Sequence, residues 1–349
     1  MRKSRLLLAP LAALGLVVAA CGGDDSSSSS EAPAASEAPS GGSCDLTGGV
    51  AFDTGGRGDG TFNDSAGEGA TRATSELGIE VKELEANVDE DRKANLELLV
   101  EGGAKVIVGV GFMFTDPMGE IAAANPDVTF GIVDSVVEAA NVRSLVFAEE
   151  QGSFLVGAAA ALKSESGKIG FIGGQEIDLI KKFEAGYIAG AKYINPDIVV
   201  ESKYLGPAGD NSAWGNVAGA KEIASGWYAD GADIIYTAAG GSGAGTIEAA
   251  VEAGKWAIGV DSDQYLTAGS EDQKAHILTS MLKRVDVAVF ETMKAACEGD
   301  TAGGIKVFDL SNDGVGYATS GGYVDDIAGQ LDELKAKIVA GEITVPTAP

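Results

Sequence analysis

Histidine is nearly absent from this chain: His276 is the single one in 349 residues. Cysteine is also scarce, with three residues and no pair at the spacing of a metal ligand set. Zinc sites and imidazole-based catalysis therefore have little to draw on, and His276 reads as a surface or strand-edge residue. Basic residues number 25 against 52 acidic ones, a formal charge of −27, and no basic patch is evident. Such a balance opposes nucleic-acid binding and favours solubility. Aromatic residues make up only 6% of the chain. Beyond the first twenty residues, no stretch is long and apolar enough to span a bilayer.

What is present begins at the start of the chain. Arg2, Lys3 and Arg5 precede an apolar run from Leu6 to Ala20. That run is shorter than the roughly 20 apolar residues of a permanent span, and it reads as a secretory signal over 1–20. It ends in Val18-Ala19-Ala20-Cys21, which resembles a bacterial lipobox, with Cys21 as the lipidated residue. Gly, Ser, Ala, Pro and acidic residues then fill 22–43 almost completely. This composition cannot bury enough apolar surface to offset its ordering entropy, so 21–44 is expected to be a disordered tether. Fully extended, it would reach roughly 70 Å. The expected location is the extracytoplasmic face of the cell membrane, held there by lipid. Cys44 and Cys297 remain as a pair that an oxidising location permits to bridge, although sequence does not show whether they meet.

The remaining body is long enough for two lobes with substantial cores. Gly is abundant, at 50 residues, which suits an α/β fold with many tight strand-to-helix turns. Strand-like runs are expected at 50–53, 81–84, 106–110, 128–133, 142–147, 168–172, 199–204, 234–238 and 256–260. Helical patterns lie between them, at 66–77, 91–102 and 152–162 among others. Asp116-Pro117 reads as a helix cap followed by Pro at the first helical position. Short apolar strands separated by helices indicate parallel sheets covered on both faces. A break near 148–152 and a return near 262–280 suggest two lobes. The first is expected over 45–147 plus about 265–300, the second over 148–264 plus about 301–349.

In doubly wound sheets, ligands bind beyond the carboxyl ends of the strands. The sequence places its polar and Gly-rich clusters there: Asp53-Thr54-Gly55-Gly56, Gly109-Val110-Gly111-Phe112, Asp134-Ser135, Gly173-Gly174, Gly240-Gly241-Ser242-Gly243 and Asp261-Ser262-Asp263. The GGSGAG run at 240–245 lacks the Lys-Ser/Thr of a P-loop and the spacing of a dinucleotide fingerprint. Its backbone N–H groups suit a ligand oxygen, and tight packing explains its glycines nearly as well.

These residues fit a known pattern. The run AFDTGGRGDGTFNDSAGEG resembles the D-x-G-G-x-x-D-x-[ST]-F-N-x-x-A-x-x-G signature of the Bmp (basic membrane protein) family of ABC-transporter substrate-binding lipoproteins. The likeness continues in order through VIVGVGF, PDVTFGIVDS, GSFLVGAAAALKSESGKIGFIGG, FEAGYIAGAKYINPDI, GADIIYTAAGGSGAGTIEAA, AIGVDSDQ and ILTSMLKRVDVAVF. It implies an α/β fold of the type I periplasmic-binding-protein kind, with two doubly wound parallel-sheet lobes joined by crossover strands. It also implies capture of a small molecule, a purine nucleoside, for an ABC transporter permease, with no cofactor and no catalysis.

By this resemblance Phe62 stacks on the base, where the alternative is a Phe plugging the core. Asn63 reads a base edge or caps a helix. Asp53 bonds the base, and Asp134 is a weaker candidate for the same cleft; either could simply cap a turn. Asp261 and Lys283 match the positions that grip the ribose hydroxyls, with a plain structural salt bridge as their alternative. Gly240 and Gly241 offer backbone donors. The second face of the base falls to Tyr236, Phe183, Phe112 or Trp214, among which sequence does not choose. Competing functions are a sugar or other ribosyl ligand on the same fold, an enzyme such as a nucleoside hydrolase or NAD-dependent reductase, and a surface adhesin.

Overall fold

The structure, a computed structural model, describes residues 44–349. The expected signal, Cys21 and nearly all of the tether lie outside the described residues. Among the described residues no helix is long and apolar enough to cross a membrane.

Twelve strands alternate with helices. In chain order they are β1 (Thr47–Phe52), β2 (Glu80–Glu85), β3 (Val106–Gly109), β4 (Thr129–Val133), β5 (Val142–Phe147) and β6 (Lys168–Gln175). There follow β7 (Val199–Gly206), β8 (Ile234–Ala238), β9 (Trp256–Asp261), β10 (Ile277–Lys283), β11 (Gly304–Phe308) and β12 (Val315–Tyr317). They form two six-stranded sheets, ordered β11-β5-β4-β3-β1-β2 and β12-β10-β9-β8-β6-β7. Every pairing is parallel except that of β10 with β12. Both faces of the first sheet are buried, as parallel sheets require. Val50 and Phe52 of β1 pack toward Ala66 and Ala70 of the helix Phe62–Arg72, while Ala51 faces Leu96 and Leu99 of the helix Asp89–Glu101. Each large apolar side chain buried in this way contributes roughly 1.5–3 kcal/mol.

The chain passes between the sheets after β5, after β10 and after β11. This corrects the expected lobe segments at both return passages. Strand β10, placed in the first lobe by its position in 265–300, pairs with β9 in the second sheet. Strand β11, placed in the second lobe, pairs with β5 in the first sheet. The helix Val285–Cys297 between them returns to the first sheet, where Arg72 lies over the Phe290 ring at 3.8 Å. A disulfide joins Cys44 to Cys297, with Cα atoms 5.6 Å apart, fastening the start of the described chain to the end of that helix.

Two further expectations shift. Asp116 is not the cap of its helix: a short turn over Phe112–Phe114 leads directly into Thr115–Ala124, which places Asp116 in the first helical turn. Gly173 and Gly174 are not a strand-end loop but lie inside β6. A Cβ on Gly174 would come within 2.3 Å of the Trp214 ring, so Gly is required there for close approach rather than for a turn.

Candidate ligand-binding cleft

The carboxyl ends of both parallel sheets open on one cavity of about 250 Å³. That lies just below the usual range for small-molecule sites, roughly 300–1,000 Å³. From the first sheet it is lined by Asp53, Thr54, Gly55, Asp59, Phe62, Asn63, Gly111, Phe112, Met113 and Asp134. The second sheet contributes Leu179, Ile180, Phe183, Trp214, Gly240, Gly241, Asp261 and Lys283, among others. The sequence-predicted residues thus converge, with one exception. Tyr236 does not line the cavity: it sits within β8, fully buried, with its hydroxyl near Ser153 at 3.3 Å and its ring against Tyr187 and Phe171. Of β8 only its last residue, Ala238, reaches the cavity, followed by Ala239, Gly240 and Gly241 beyond the strand.

Phe62 and Asn63 stand where the loop after β1 enters the helix Phe62–Arg72. The Asp59 carboxylate holds this entry by accepting from the backbone N–H groups of Thr61, Asn63 and Asp64. It supplies the cap that the Thr61 side chain does not. Burial pushes the Asp59 carboxyl above its usual range, and those N–H donors oppose the shift. The amide of Asn63 also donates to Asp59 at 3.1 Å, and its Oδ1 is buried without a partner among the described residues.

Asp53, at the end of β1, is bound on one oxygen by Arg92. Nε of Arg92 lies 2.9 Å and Nη2 2.6 Å from Asp53 Oδ1. Both partners are nearly inaccessible to solvent. Burial lifts the Asp53 carboxyl and the guanidinium opposes it. Arg stays charged at any working pH, so this partner favours the ionised form of Asp53 against the pull of burial.

Lys283 stands at the end of β10, where the chain crosses between sheets. Its Nζ donates to Asp134 Oδ2 at 2.7 Å and lies 3.2 Å from Glu149 Oε1, off hydrogen-bond alignment. The plain Asp261–Lys283 salt bridge entertained from sequence is therefore not what forms; Asp134 and Glu149 take the ammonium. Asp134 consequently acts less as a free ligand contact than as the partner of Lys283, although its Oδ1 has no partner among the described residues. Burial disfavours the charge on Lys283, yet Asp134, Glu149 and Asp261 outweigh it and raise its pKa. Burial in turn lifts Asp261 to about 7 and Asp134 to about 6, against the pull of Lys283.

Both carboxylates sit in a rare backbone conformation. Asp134 has φ 67° and Asp261 φ 64°, two of the three non-glycine residues with positive φ among those described. Left-handed backbone at non-glycine residues is uncommon and concentrates where function fixes a side chain. Aromatic rings surround the charged cluster: Lys283 Nζ lies 5.2 Å from the Phe62 ring centre and 5.5 Å from that of Phe183. Phe112 and Trp214 pack edge to face nearby, with centroids 6.4 Å apart, and Trp214 Nε1 has no partner among the described residues.

The two halves also touch directly around the cavity. Ser262 donates to the Thr61 carbonyl at 2.8 Å, and Thr267 to that of Gly60 at 3.3 Å. Sequence reasoning missed three residues here. Arg92 lies inside a helix, where an arginine ordinarily reads as solvated. Glu149, fully buried, stands in a first helical turn, where acids are expected for the dipole alone. Asp59 occupies an acidic position of the quoted signature and could have been singled out from it.

The model of ABC transporter substrate-binding proteins described as PnrA-like, Bmp, matches residues 47–348. The chain is 35% identical to a CD4+ T-cell-stimulating antigen of Listeria monocytogenes, over 100% of this chain and 99% of that protein. It is 34% identical to the ABC transporter nucleoside-binding protein BmpA of Lactococcus lactis, over 87% of this chain and 90% of that one. Among solved structures it resembles an ABC transporter solute-binding protein of Aeropyrum pernix, with a TM-score of 0.74 and 28% identity, covering 86% of this chain and 93% of the other.

Proposed function

Because the chain belongs to the Bmp family of ABC transporter substrate-binding proteins, we propose that its ligand is a purine nucleoside, captured in the interlobe cavity and passed to a transporter permease. It is a solute-binding protein rather than an enzyme, as are its family and the similar Aeropyrum pernix protein. The single observation that carries the nucleoside reading is the pairing of two chemistries in one cavity. An aromatic ring with an unpartnered amide oxygen beside it, Phe62 and Asn63, shares the cavity with a buried carboxylate–ammonium cluster, Lys283 with Asp134, and with the buried carboxyl of Asp261.

In this reading Phe62 stacks on the base and Trp214, Phe183 or Phe112 covers the other side. Asp53 and Asn63 take the base edge. Asp261 accepts from the ribose hydroxyls and Lys283, steadied by Asp134 and Glu149, donates to a ribose oxygen. Gly240 and Gly241 offer backbone N–H groups. A simple sugar would cover less of the aromatic surface than a planar base with its ribose. Lipidation of Cys21 would keep the protein at the extracytoplasmic membrane face.

Isothermal titration of protein freed of co-purified ligand, with guanosine, inosine, adenosine and cytidine, tests the assignment. Heat from purine nucleosides is expected, and a binding free energy weaker by roughly 1–3 kcal/mol in Phe62→Ala, the value of base stacking on an aromatic ring. Silence with every purine nucleoside, or release on denaturation of a ligand without absorbance near 260 nm, would end this reading. Metabolic labelling with palmitate that persists in Cys21→Ser would end the anchoring one.

A further inference from the structure

Resting on the nucleoside reading, we infer that Asp53 and Asn63 form an acceptor-only wall that selects a 2-amino-6-oxopurine nucleoside, guanosine, over adenosine, and that Arg92 is the positioning residue that fixes this choice.

The orientation of Asn63 is set from behind. Its backbone N–H and its Nδ2 both donate to Asp59 Oδ2, at 2.9 and 3.1 Å. Turning the amide over would set its oxygen against that carboxylate, so Oδ1 must face away from Asp59. That oxygen is buried and has no partner among the described residues. An amide normally offers both a donor and an acceptor to a base. Here the donor is spent inside the protein, leaving an acceptor only.

Asp53 is restricted in the same sense. Its Oδ1 accepts from Arg92 Nε at 2.9 Å, from Arg92 Nη2 at 2.6 Å and from the Thr54 backbone at 2.7 Å. Its Oδ2 accepts from none of the described residues. That oxygen lies beside Gly111, where an added Cβ would come 3.0 Å from it and 3.6 Å from the edge of the Phe62 ring. The open oxygen and the stacking ring therefore meet at one spot. Gly111 has φ 115°, a conformation that disfavours any side chain, which keeps this approach open.

A base lying on Phe62 would present its edge to both oxygens. Guanine carries two adjacent donors, N1–H and the exocyclic amine, which suit two acceptors. Adenine offers its amine beside the bare N1 lone pair, and that lone pair would face an acceptor and be left desolvated without a partner. Hypoxanthine, with one of the two donors, should fall between. Trp214 Nε1 is an open donor in the same cavity and suits N7, which all three bases carry, so it does not discriminate. Arg92 enters because it holds Asp53 ionised and turned: without the guanidinium, a buried Asp53 can take up a proton and become a donor itself.

The test is equilibrium titration of the full chain with guanosine, inosine and adenosine, alongside Asp53→Asn and Arg92→Met. Wild-type protein should bind guanosine at least tenfold more tightly than adenosine. With its oxygen kept on Arg92, an amide at position 53 turns Nδ2 to the base and can donate to adenine N1 while the Asn63 oxygen accepts from the amine, so Asp53→Asn should shrink or invert that ratio. Arg92→Met should narrow it in the same direction, an effect on selectivity that a loss of stability alone would not produce. Equal or tighter adenosine binding by the wild type overturns the inference, as does a ratio unchanged in Asp53→Asn. Should Arg92→Met fail to fold, the Asp53→Asn ratio still decides. If wild-type protein binds no nucleoside, the nucleoside reading falls and this inference with it, whereas binding without guanosine preference sinks this inference alone.

Discussion

Asn211 of the second half donates from Nδ2 to Asp89 Oδ1 of the first at 3.0 Å, and that same oxygen receives Arg92 Nη1 at 2.7 Å. Since Arg92 also grips Asp53, a contact between the halves is joined through two side chains to a carboxylate that lines the cavity. On the other side Asn211 accepts from Gln175, at the end of β6, at 3.0 Å. Closing the halves and presenting Asp53 are thus parts of one hydrogen-bonded chain.

Asn211→Ala should therefore weaken ligand binding modestly. A single partly exposed hydrogen bond is worth about 0.5–1.5 kcal/mol, or roughly two- to tenfold in affinity. The loss should lie in faster dissociation, with association unchanged, because the contact forms only when the halves are together. Stopped-flow kinetics separate the two rates, and a slowed association step would contradict this account.

Acidity should act on binding and stability in opposite senses. Asp261 is lifted to about 7 by burial, with Lys283 opposing and Asp134, Asp59 and Glu149 adding to the rise. A carboxyl with a raised folded pKa contributes stability below its unfolded value, about 4, and that contribution is lost as pH climbs to about 7. The ligand-free protein should therefore lose this contribution between about pH 4 and 7, and Asp261→Asn should flatten that part of the melting-temperature profile. If Asp261 accepts from ribose hydroxyls as proposed, ligand affinity should rise over the upper part of the window, because the ionised carboxylate is the stronger acceptor. Calorimetry in buffers of different ionisation enthalpy should detect a proton released on binding near pH 7. A dissociation constant flat from pH 5.5 to 8.5 would refute the role given to Asp261.

Lys283→Met should cost far more than a surface lysine. It strands the buried Asp134 carboxylate and removes one of two cations from buried Glu149, which keeps Lys182 at 3.0 Å. Removing one member of such a cluster typically costs 3–5 kcal/mol. Adding Asp134→Asn should recover part of the loss. Denaturant unfolding of the single and double variants measures both numbers, and strict additivity would show that the pair is uncoupled.

How much of this was legible in the sequence depended on what each residue had to satisfy. Strand β8 is buried at every residue and mostly apolar, and could be read to its ends. The three strands missed obey other rules. Strand β10 carries Thr279, Ser280 and Lys283, whose buried polar groups are answered by Ala318, Gln264 and Asp134. Strand β11 lies at the edge of its sheet with Ile305 and Val307 exposed, and β12 spans only Val315–Tyr317. In the cleft, Phe62, Asn63, Asp261 and Lys283 belong to contiguous motifs. Arg92 does not, since it acts through a contact 39 residues away in sequence. Tyr236 misled because a strand's side chains reach the crevice only near its carboxyl end, and this one lies a turn too deep.

Mixed Cys44→Ser and Cys297→Ser replacement, or reduction, should lower stability by about 2–5 kcal/mol. The bridge closes a loop spanning 253 positions, so the constraint on the unfolded chain is large. Chemical denaturation with and without reductant gives the difference. Ligand affinity should be unchanged at temperatures where the protein remains folded, because neither sulfur lines the cavity.

That same covalent staple also decides where mechanical load would go. Cys44 precedes β1, an interior strand of its sheet, and tension arriving along the polypeptide from the amino-terminal side would otherwise unzip β1 from β2 and β3 one rung at a time. With the sulfur bond in place, the pull is diverted at residue 44 into the helix Val285–Cys297 before it reaches the ladder. Load applied at residue 44 would then be shared with that helix, and the strand leading to Asp53 would carry less of it.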